Sequence, residues 1–359
     1  MLGDYFNMTV WVMGLIILTF FQFINTITQD SDRLVNEKHT PAWGYFITIV
    51  IILYIGLRPL HKYGDSWLYS TMFNLVQTGQ WRSFNSIESE WLWEKIEYFF
   101  IDHSTCQMWF LCIAGLYIGC MGIAVRRWFP KNFTLAMMFA FTALSFHAYG
   151  TNGLRNGLST SVALMALSFL FTEKRRYFFS FLLLYCAISI HSSAAMITAS
   201  AMVALYFHNA RTNTIIWIIC ILISTVFSDS IVNLMTHILG EGRMSFYSEL
   251  DNTFYVNKGF RYDFILYSSI PIILGWIVCV KNNLRDGIYE YLLATYTIAN
   301  SGWVLINTIA YSNRFAYLSW FLYPVLLAYP FLKFRFMEYQ SRMAGLLLLF
   351  HLAIYLAIG

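Results

Sequence analysis

About twelve long apolar segments dominate this chain and leave it few ways to fold. Hydrophobic residues make up 58% of the chain and charged residues 12%, whereas soluble domains carry about 25% charged residues. Because a helix needs about 20 mostly apolar residues to cross a bilayer, we predict an all-α polytopic membrane protein with a single transmembrane domain over residues 1–359. The predicted spans are 8–27, 43–58, 107–125, 133–149, 156–172, 177–191, 193–207, 213–228, 262–280, 288–309, 315–333 and 343–357.

The apolar stretch 177–207 is too long for one ordinary helix and short for two. We divide it at His191-Ser192-Ser193, where polar side chains can satisfy a chain reversal. With both termini outside, the inner loops, counted with Lys333, then hold 14 of the 23 lysines and arginines, in agreement with the positive-inside rule. A single span would place the later basic loops outside, so the charge pattern favours the division.

This topology places five ionisable residues at the outer face: Arg58, Asp65, Arg155, His191 and Arg314. An ionisable group at membrane depth costs about 3 kcal/mol or more, so it usually has a function. The shared face predicts a site that binds an anionic head group.

Two long polar loops, 59–106 and 229–261, also face outside in this topology. The segment 91–100 predicts an amphipathic helix that lies in the membrane interface. The acids in and before this segment are Glu88, Glu90, Glu94 and Glu97. They are predicted to form a solvated face, although one of them, or Asp102, could touch a sugar. The second loop mixes aromatic residues with carboxylates, which suits sugar binding and an ordinary membrane-surface loop equally.

Arg58 ends a predicted span and is followed by Gly64-Asp65, where Asp65 can cap the next helix. Tyr69 and Phe73 then lie one turn apart on a single helix face. The pattern suits a polar site at the end of a span, and it equally suits an interfacial anchor followed by an ordinary helix cap.

Arg155 lies in the first turn of an apolar helix that begins with Arg155-Asn156-Gly157. Backbone N–H groups and a guanidinium together make an anion site at such a position. Small residues at Gly157, Ser159 and Ser161 allow close helix approach. The alternative is an arginine that extends to lipid phosphate.

His191 sits at the predicted junction, and Arg314 opens a span directly after Asn313. Imidazole titrates near neutral pH, so His191 suits a proton carrier or a phosphate ligand. A structural histidine at a helix junction is the alternative. The sequence contains no Cys/His metal spacing, nucleotide loop or nucleic-acid motif, so no metal, cofactor or nucleic acid is predicted.

The motifs occur in an order that resembles the EpsG family of bacterial membrane proteins, over roughly residues 40–335. They are Arg58…Gly64-Asp65…Tyr69…Phe73, Arg155-Asn156-Gly157-Leu158, Ile190-His191-Ser192-Ser193-Ala194 and Asn313-Arg314-Phe315-Ala316-Tyr317. That family is grouped with Wzy-type polysaccharide polymerases. Asn156 departs from the family, which more often has glutamine after the arginine.

The resemblance implies a GT-C-like glycosyltransferase of the bacterial cytoplasmic membrane, with its active site facing the periplasm or outside. It would join undecaprenyl-diphosphate-linked oligosaccharide repeat units into O-antigen, capsule or exopolysaccharide. The expected partners are these lipid-linked glycans, membrane lipid, and flippase and chain-length regulator proteins.

The same resemblance implies roles for eight residues. Arg155 and Arg314 would bind the diphosphate with help from Arg58, and the other substrate-binding residues would be Tyr69, Asn156 and Asn313. The catalytic residues would be Asp65 and His191, either of which could serve as the base, unless early departure of the diphosphate makes a base unnecessary.

Two other functions are open to a chain of this kind. A membrane O-acyltransferase would also use histidine and arginine, but it usually has its catalytic histidine early, and the first histidines here, His39 and His61, lie on loops. A flippase or exporter of lipid-linked sugars would line the membrane midplane with charges and often repeat its halves. Neither pattern is evident in this sequence.

Overall fold

The structure, a computed structural model, describes residues 7–61, 64–81, 90–239, 259–309 and 312–358. Secondary structure in this part of the chain is helical, without strands, and the predicted all-α polytopic membrane protein is confirmed. The helices group into two compact units, Met1–Ala195 with Leu327–Gly359 as unit 1 and Met196–Leu326 as unit 2. The assignment of one transmembrane domain stays a prediction.

Each predicted span corresponds to one helix or to two consecutive helices. In chain order they are α1 (Met8–Ile27), α2 (Ser31–Asn36), α3 (Ala42–Gly56), α4 (Gly64–Gln77), α5 (Trp91–His103), α6 (Cys106–Trp128), α7 (Phe133–Phe141), α8 (Leu144–Thr151), α9 (Leu154–Leu170), α10 (Tyr177–Ile190), α11 (Ala194–Tyr206), α12 (Ala210–Leu239), α13 (Tyr262–Trp276), α14 (Gly287–Leu305), α15 (Asn313–Trp320), α16 (Tyr323–Lys333) and α17 (Gln340–Ile358). By length and composition, six helical segments of the described residues can cross a membrane, and the bent pair α7–α8 makes seven.

The predicted division of 177–207 is confirmed, because α10 ends at Ile190 and α11 begins at Ala194. The two helices have 14 and 13 residues, so each is about 20 Å long. A straight helix of that length is shorter than a hydrocarbon core of about 30 Å. Inner and outer assignments for the loops that follow therefore stay a prediction from charge.

Within unit 1, α9 packs against both α6 and α10 through small residues. Ser159 Oγ donates to the Ala187 carbonyl of α10 at 2.8 Å, and Ser161 Oγ donates to the Tyr117 carbonyl of α6. A Cβ on Gly157 would lie 2.8 Å from the Tyr149 carbonyl oxygen, so only glycine permits this approach to α8. The predicted close packing of this segment is confirmed.

A break between α7 and α8 determines where α9 begins. The two helices meet at 72°, and the Thr142 hydroxyl at the break donates to the Met138 carbonyl at 3.0 Å. Helix α8 then leads through Asn152 and Gly153 into the first turn of α9. The short broken helix thus sets the position of Arg155, the second residue of α9.

Unit 2 is held together by a buried polar network around Asn300 of α14. The Trp217 indole N–H of α12 donates to its Oδ1 at 2.7 Å. Its Nδ2 donates to Ser268 Oγ of α13 at 3.0 Å and to Ser319 Oγ of α15 at 2.9 Å. Hydrogen bonds between helices hold transmembrane bundles together, and one side chain here connects four helices.

Candidate functional site

Arg155 is held by two side chains from other parts of unit 1. Its Nε donates to the Tyr69 hydroxyl of α4 at 3.0 Å, and its Nη1 donates to Glu90 Oε2 at 2.8 Å. The Arg155 side chain keeps 20% of its surface exposed, whereas the Glu90 side chain is fully buried. The guanidinium is therefore fixed in orientation, and part of the Arg155 side chain remains exposed.

The Glu90 carboxylate joins three segments of unit 1. Oε2 accepts from Arg155 of α9, and Oε1 accepts from Nδ1 of His191, the residue after α10. The backbone N–H and the hydroxyl of Ser192 also donate to Oε1, at 3.3 and 3.2 Å. A fully buried carboxylate is tolerated when it is paired and hydrogen-bonded in this way.

The same contacts set the charge of Glu90. Burial alone raises the pKa of its carboxyl, but the hydrogen bond and charge of His191, the charge of Arg155 and the Ser192 backbone N–H together lower that pKa to about 2. Glu90 is therefore ionised at neutral pH and can only accept hydrogen bonds. It follows that His191 Nδ1 carries the proton shared with Glu90.

Three further predicted site residues lie beside this cluster. Tyr69 follows Asp65 by one turn, and Asp65 lies in the first turn of α4, where a negative charge favours the helix N-terminus. Burial raises the pKa of Tyr69 to about 12, against the opposing charge of Arg155. Asn156 follows Arg155 and accepts a hydrogen bond from Ser193 Oγ at 2.7 Å.

Aromatic rings pack beside the cluster. The Tyr69 ring centroid lies 5.8 Å from those of Trp93 and Trp109, and Phe73 stacks on Trp109 at 5.6 Å. Tyr69 and Phe73 share a buried helix face, as their spacing predicts. These rings exclude water from one side of the polar cluster.

Arg58 serves the interior of unit 1. It is fully buried, its Nε donates to Ser66 Oγ at 3.0 Å and its Nη1 donates to the Ile55 carbonyl at 2.8 Å. Its guanidinium also lies 4.3 Å from the centroid of the Phe110 ring. These contacts join the end of α3 to the start of α4. The suggestion that Arg58 assists at a diphosphate stays a prediction.

Asn313 and Arg314 belong to unit 2, at the start of α15. The Asn313 side chain forms a hydrogen bond with the Tyr317 hydroxyl. The positive charges of Arg261 and Arg314 lie within electrostatic reach of the same hydroxyl. Arg314 is exposed. The helix start matches the predicted arginine at a span end, and a shared role with Arg155 stays a prediction.

A cavity of about 500 Å³ also lies in unit 2, between the end of α11 and the starts of α12 and α14. Its polar lining includes His208, Asn209, Arg285 and Glu290. None of the predicted site residues lines it. Among the residues that the structure describes, no group of three or more His, Cys, Asp or Glu side chains is placed to hold a metal ion.

Residues 42–358 match the model of the EpsG family. The chain belongs to the EpsG family. This is a family of Wzy-type polysaccharide polymerase-like proteins, associated with glycosyltransferase-like activity. Neither the curated proteins nor the solved structures gave a match to the chain.

One sequence prediction for this EpsG-family chain is wrong. The sequence predicts a solvated face for the acids around α5, but Glu90 and Glu97 are buried. The helix itself is present, and Glu94 and Asp102 are at least partly exposed. Glu88 and the second loop's residues 240–258 lie outside the part that the structure describes.

The spacing along α5 explains the burial. Glu90, Trp93, Glu97 and Ile101 recur at intervals of three or four residues and share one helix face. That face packs against α4, α6 and α10 rather than facing water. The sequence signal was therefore available, because the two acids lie on the same stripe as Trp93 and Ile101.

Proposed function

We propose that this EpsG-family chain is a polymerase that joins undecaprenyl-diphosphate-linked oligosaccharide repeat units by glycosyl transfer, at the outer face of the bacterial cytoplasmic membrane. The observation that carries the proposal is the Glu90 carboxylate, which holds the Arg155 guanidinium beside the His191 imidazole. Transfer from a lipid diphosphate calls for a cation that binds the leaving group and a group that takes the acceptor's proton.

Arg155 is the proposed ligand of the diphosphate. Negative charge develops on the leaving group as its bond to the sugar breaks, and fixed donors stabilise such charge best where water is partly excluded. A guanidinium offers a planar fork of N–H donors that matches phosphate oxygens. Arg155 is oriented by Tyr69 and Glu90 and partly exposed, so it needs little rearrangement. For Arg58 and Arg314, the suggested assistance rests on the sequence motifs alone.

The contacts favour His191 over Asp65 as the base. Because Nδ1 of His191 donates to an ionised carboxylate, the lone pair of a neutral imidazole lies on Nε2. In the proposed step the acceptor hydroxyl oxygen bonds to the anomeric carbon of the donor, and its proton passes to Nε2. The bond from that carbon to the diphosphate oxygen breaks, and both its electrons leave with the diphosphate. Glu90 stabilises the imidazolium, as a carboxylate does in a catalytic triad.

The experiment is reconstitution of purified protein in liposomes with a synthetic lipid-linked repeat unit. The expected product is a ladder of polymer lengths on a gel. Acyl transfer from a thioester would instead identify an O-acyltransferase, and movement of the lipid-linked sugar across the bilayer without polymer would identify a flippase. Either result, or no ladder from folded protein, overturns the proposal.

A further inference from the structure

Glu97 is a buried acid that the proposed chemistry leaves unused. Its residue surface is 1% exposed, and neither carboxyl oxygen has a hydrogen-bond partner among the described residues. Buried polar groups are nearly always hydrogen-bonded, and an exception calls for an explanation. A carboxyl with two orphaned oxygens is among the least favourable groups to leave in a protein interior.

The position of Glu97 connects it to the Arg155 cluster. It follows Glu90 by seven residues on the same buried face of α5, with Trp93 between them. Trp93 packs on Tyr69, and the Tyr69 hydroxyl accepts from Arg155. The Glu97 charge acts on Arg155 and on Tyr69, so the carboxyl is within electrostatic reach of the proposed anion site.

The ionisable groups that face this region come from every element packed around it. Arg155 of α9 lowers the pKa of Glu97, whereas Glu94 of α5 raises it. Cys106 of α6 lies within electrostatic reach of Glu97, and Tyr69 of α4 lies within reach of both Glu97 and Asp65. His191 and Glu90 complete the surroundings through their contact with each other and with Arg155.

Burial dominates, and it raises the pKa of Glu97 to about 8. The carboxyl is then uncharged at neutral pH, when Glu90 is ionised and Arg155 is positive. The two ionised groups cancel, so the net charge of the three is zero. Loss of the Glu97 proton would add one negative charge near the guanidinium, in a buried setting where charges are weakly screened.

We propose that Glu97 determines whether the Arg155 cluster accepts an anion: protonated Glu97 admits the diphosphate of a lipid-linked donor, and ionised Glu97 repels it. This inference rests on the proposed function, because it assigns the diphosphate to Arg155. Glu97 acts through Arg155 in this scheme, since it contacts neither the reacting carbon nor the transferred proton.

The test measures binding of farnesyl diphosphate to the purified full chain in detergent between pH 6 and pH 9. Wild-type affinity should fall roughly tenfold between pH 7 and pH 9, as expected for one group that titrates near pH 8. Glu97→Gln is uncharged throughout and should remove this fall, and so should Glu97→Leu. Any ionisation of the ligand itself affects all variants alike and cancels in the comparison.

Asp102→Asn is the matched control, because it removes an exposed acid from the same helix and should keep the wild-type fall. Thermal unfolding at each pH identifies variants that have not folded, and Glu97→Leu replaces Glu97→Gln if the latter is unstable. An equal fall in wild type and in a folded Glu97 variant overturns the proposal and leaves the proposed function intact. Absence of binding at every pH overturns both.

Discussion

Glu90 and His191, 101 residues apart in the chain, meet through a hydrogen bond between Oε1 and Nδ1. The same carboxylate pairs with Arg155 through its other oxygen. One buried acid therefore orients both the proposed diphosphate ligand and the proposed base.

Replacement of Arg155 by alanine should lower the polymerisation rate about 100-fold or more, as for the loss of a donor to a developing negative charge. Arg155→Lys keeps the charge but loses the planar fork, so its rate should lie between those of wild type and Arg155→Ala. Ladder formation in liposomes is the measurement. Arg33→Ala removes an exposed arginine paired with Glu37 and should leave the rate unchanged. A wild-type rate in Arg155→Ala would remove Arg155 from the site.

His191→Ala should lower the rate about 100-fold or more, the usual contribution of a general base. Asp65→Asn should lower it much less, because Asp65 acts through the start of α4. Initial rates across pH for both variants, with membrane insertion checked, decide between the two residues. A larger loss in Asp65→Asn than in His191→Ala would reverse the assignment.

Glu90→Ala should lower the free energy of unfolding by about 3 kcal/mol, because removal of one partner leaves a partly buried guanidinium without its counter-charge. Arg155→Met in the Glu90→Ala background should recover part of the loss, since neither charge is then buried alone. Thermal unfolding of the two single variants and the double variant in detergent measures the coupling. Strict additivity of the two losses would show that the pair contributes nothing as a pair.

Gly157→Ala should destabilise unit 1 by about 1–3 kcal/mol through overpacking, because its Cβ would lie 2.8 Å from the Tyr149 carbonyl oxygen. Gly122 of α6 offers the control, since a Cβ there meets nothing within 4 Å. Gly122→Ala should be neutral or stabilising, as alanine favours helix. The two unfolding temperatures in the same detergent provide the comparison, and equal temperatures would contradict the packing argument.

Much of the fold follows from hydrophobicity alone. Each predicted apolar span corresponds to one or two helices because lipid requires long apolar runs. His191-Ser192-Ser193 marks a real junction because polar side chains there accept the end of a helix. The small residues Gly157, Ser159 and Ser161 predicted close packing for a steric reason that is local to the sequence.

The sequence predicts two members of the site, Arg155 and His191, but not the Glu90 carboxylate that joins them. Arg155 and His191 stood out because their charge is conspicuous in an apolar setting, whereas Glu90 stood among other acids in a polar loop. Its spacing with Trp93 and Ile101 indicates a buried face of α5, but its pairing with Arg155 and His191 depends on how the helices of unit 1 pack together, which is a tertiary property. The Arg58 contacts with Ser66 and the Ile55 carbonyl likewise depend on packing that no spacing in the sequence specifies.

The separation of Glu90 from His191 also has a consequence for biosynthesis. Ribosomes add about 5–20 residues per second, so His191 follows Glu90 by about 5 to 20 s. During that interval the Glu90 carboxylate lacks its His191 partner and, for most of it, its Arg155 partner, so water or another polar group must satisfy it. The contacts that hold Glu90 in place can therefore form only after Arg155 and His191 have been synthesised.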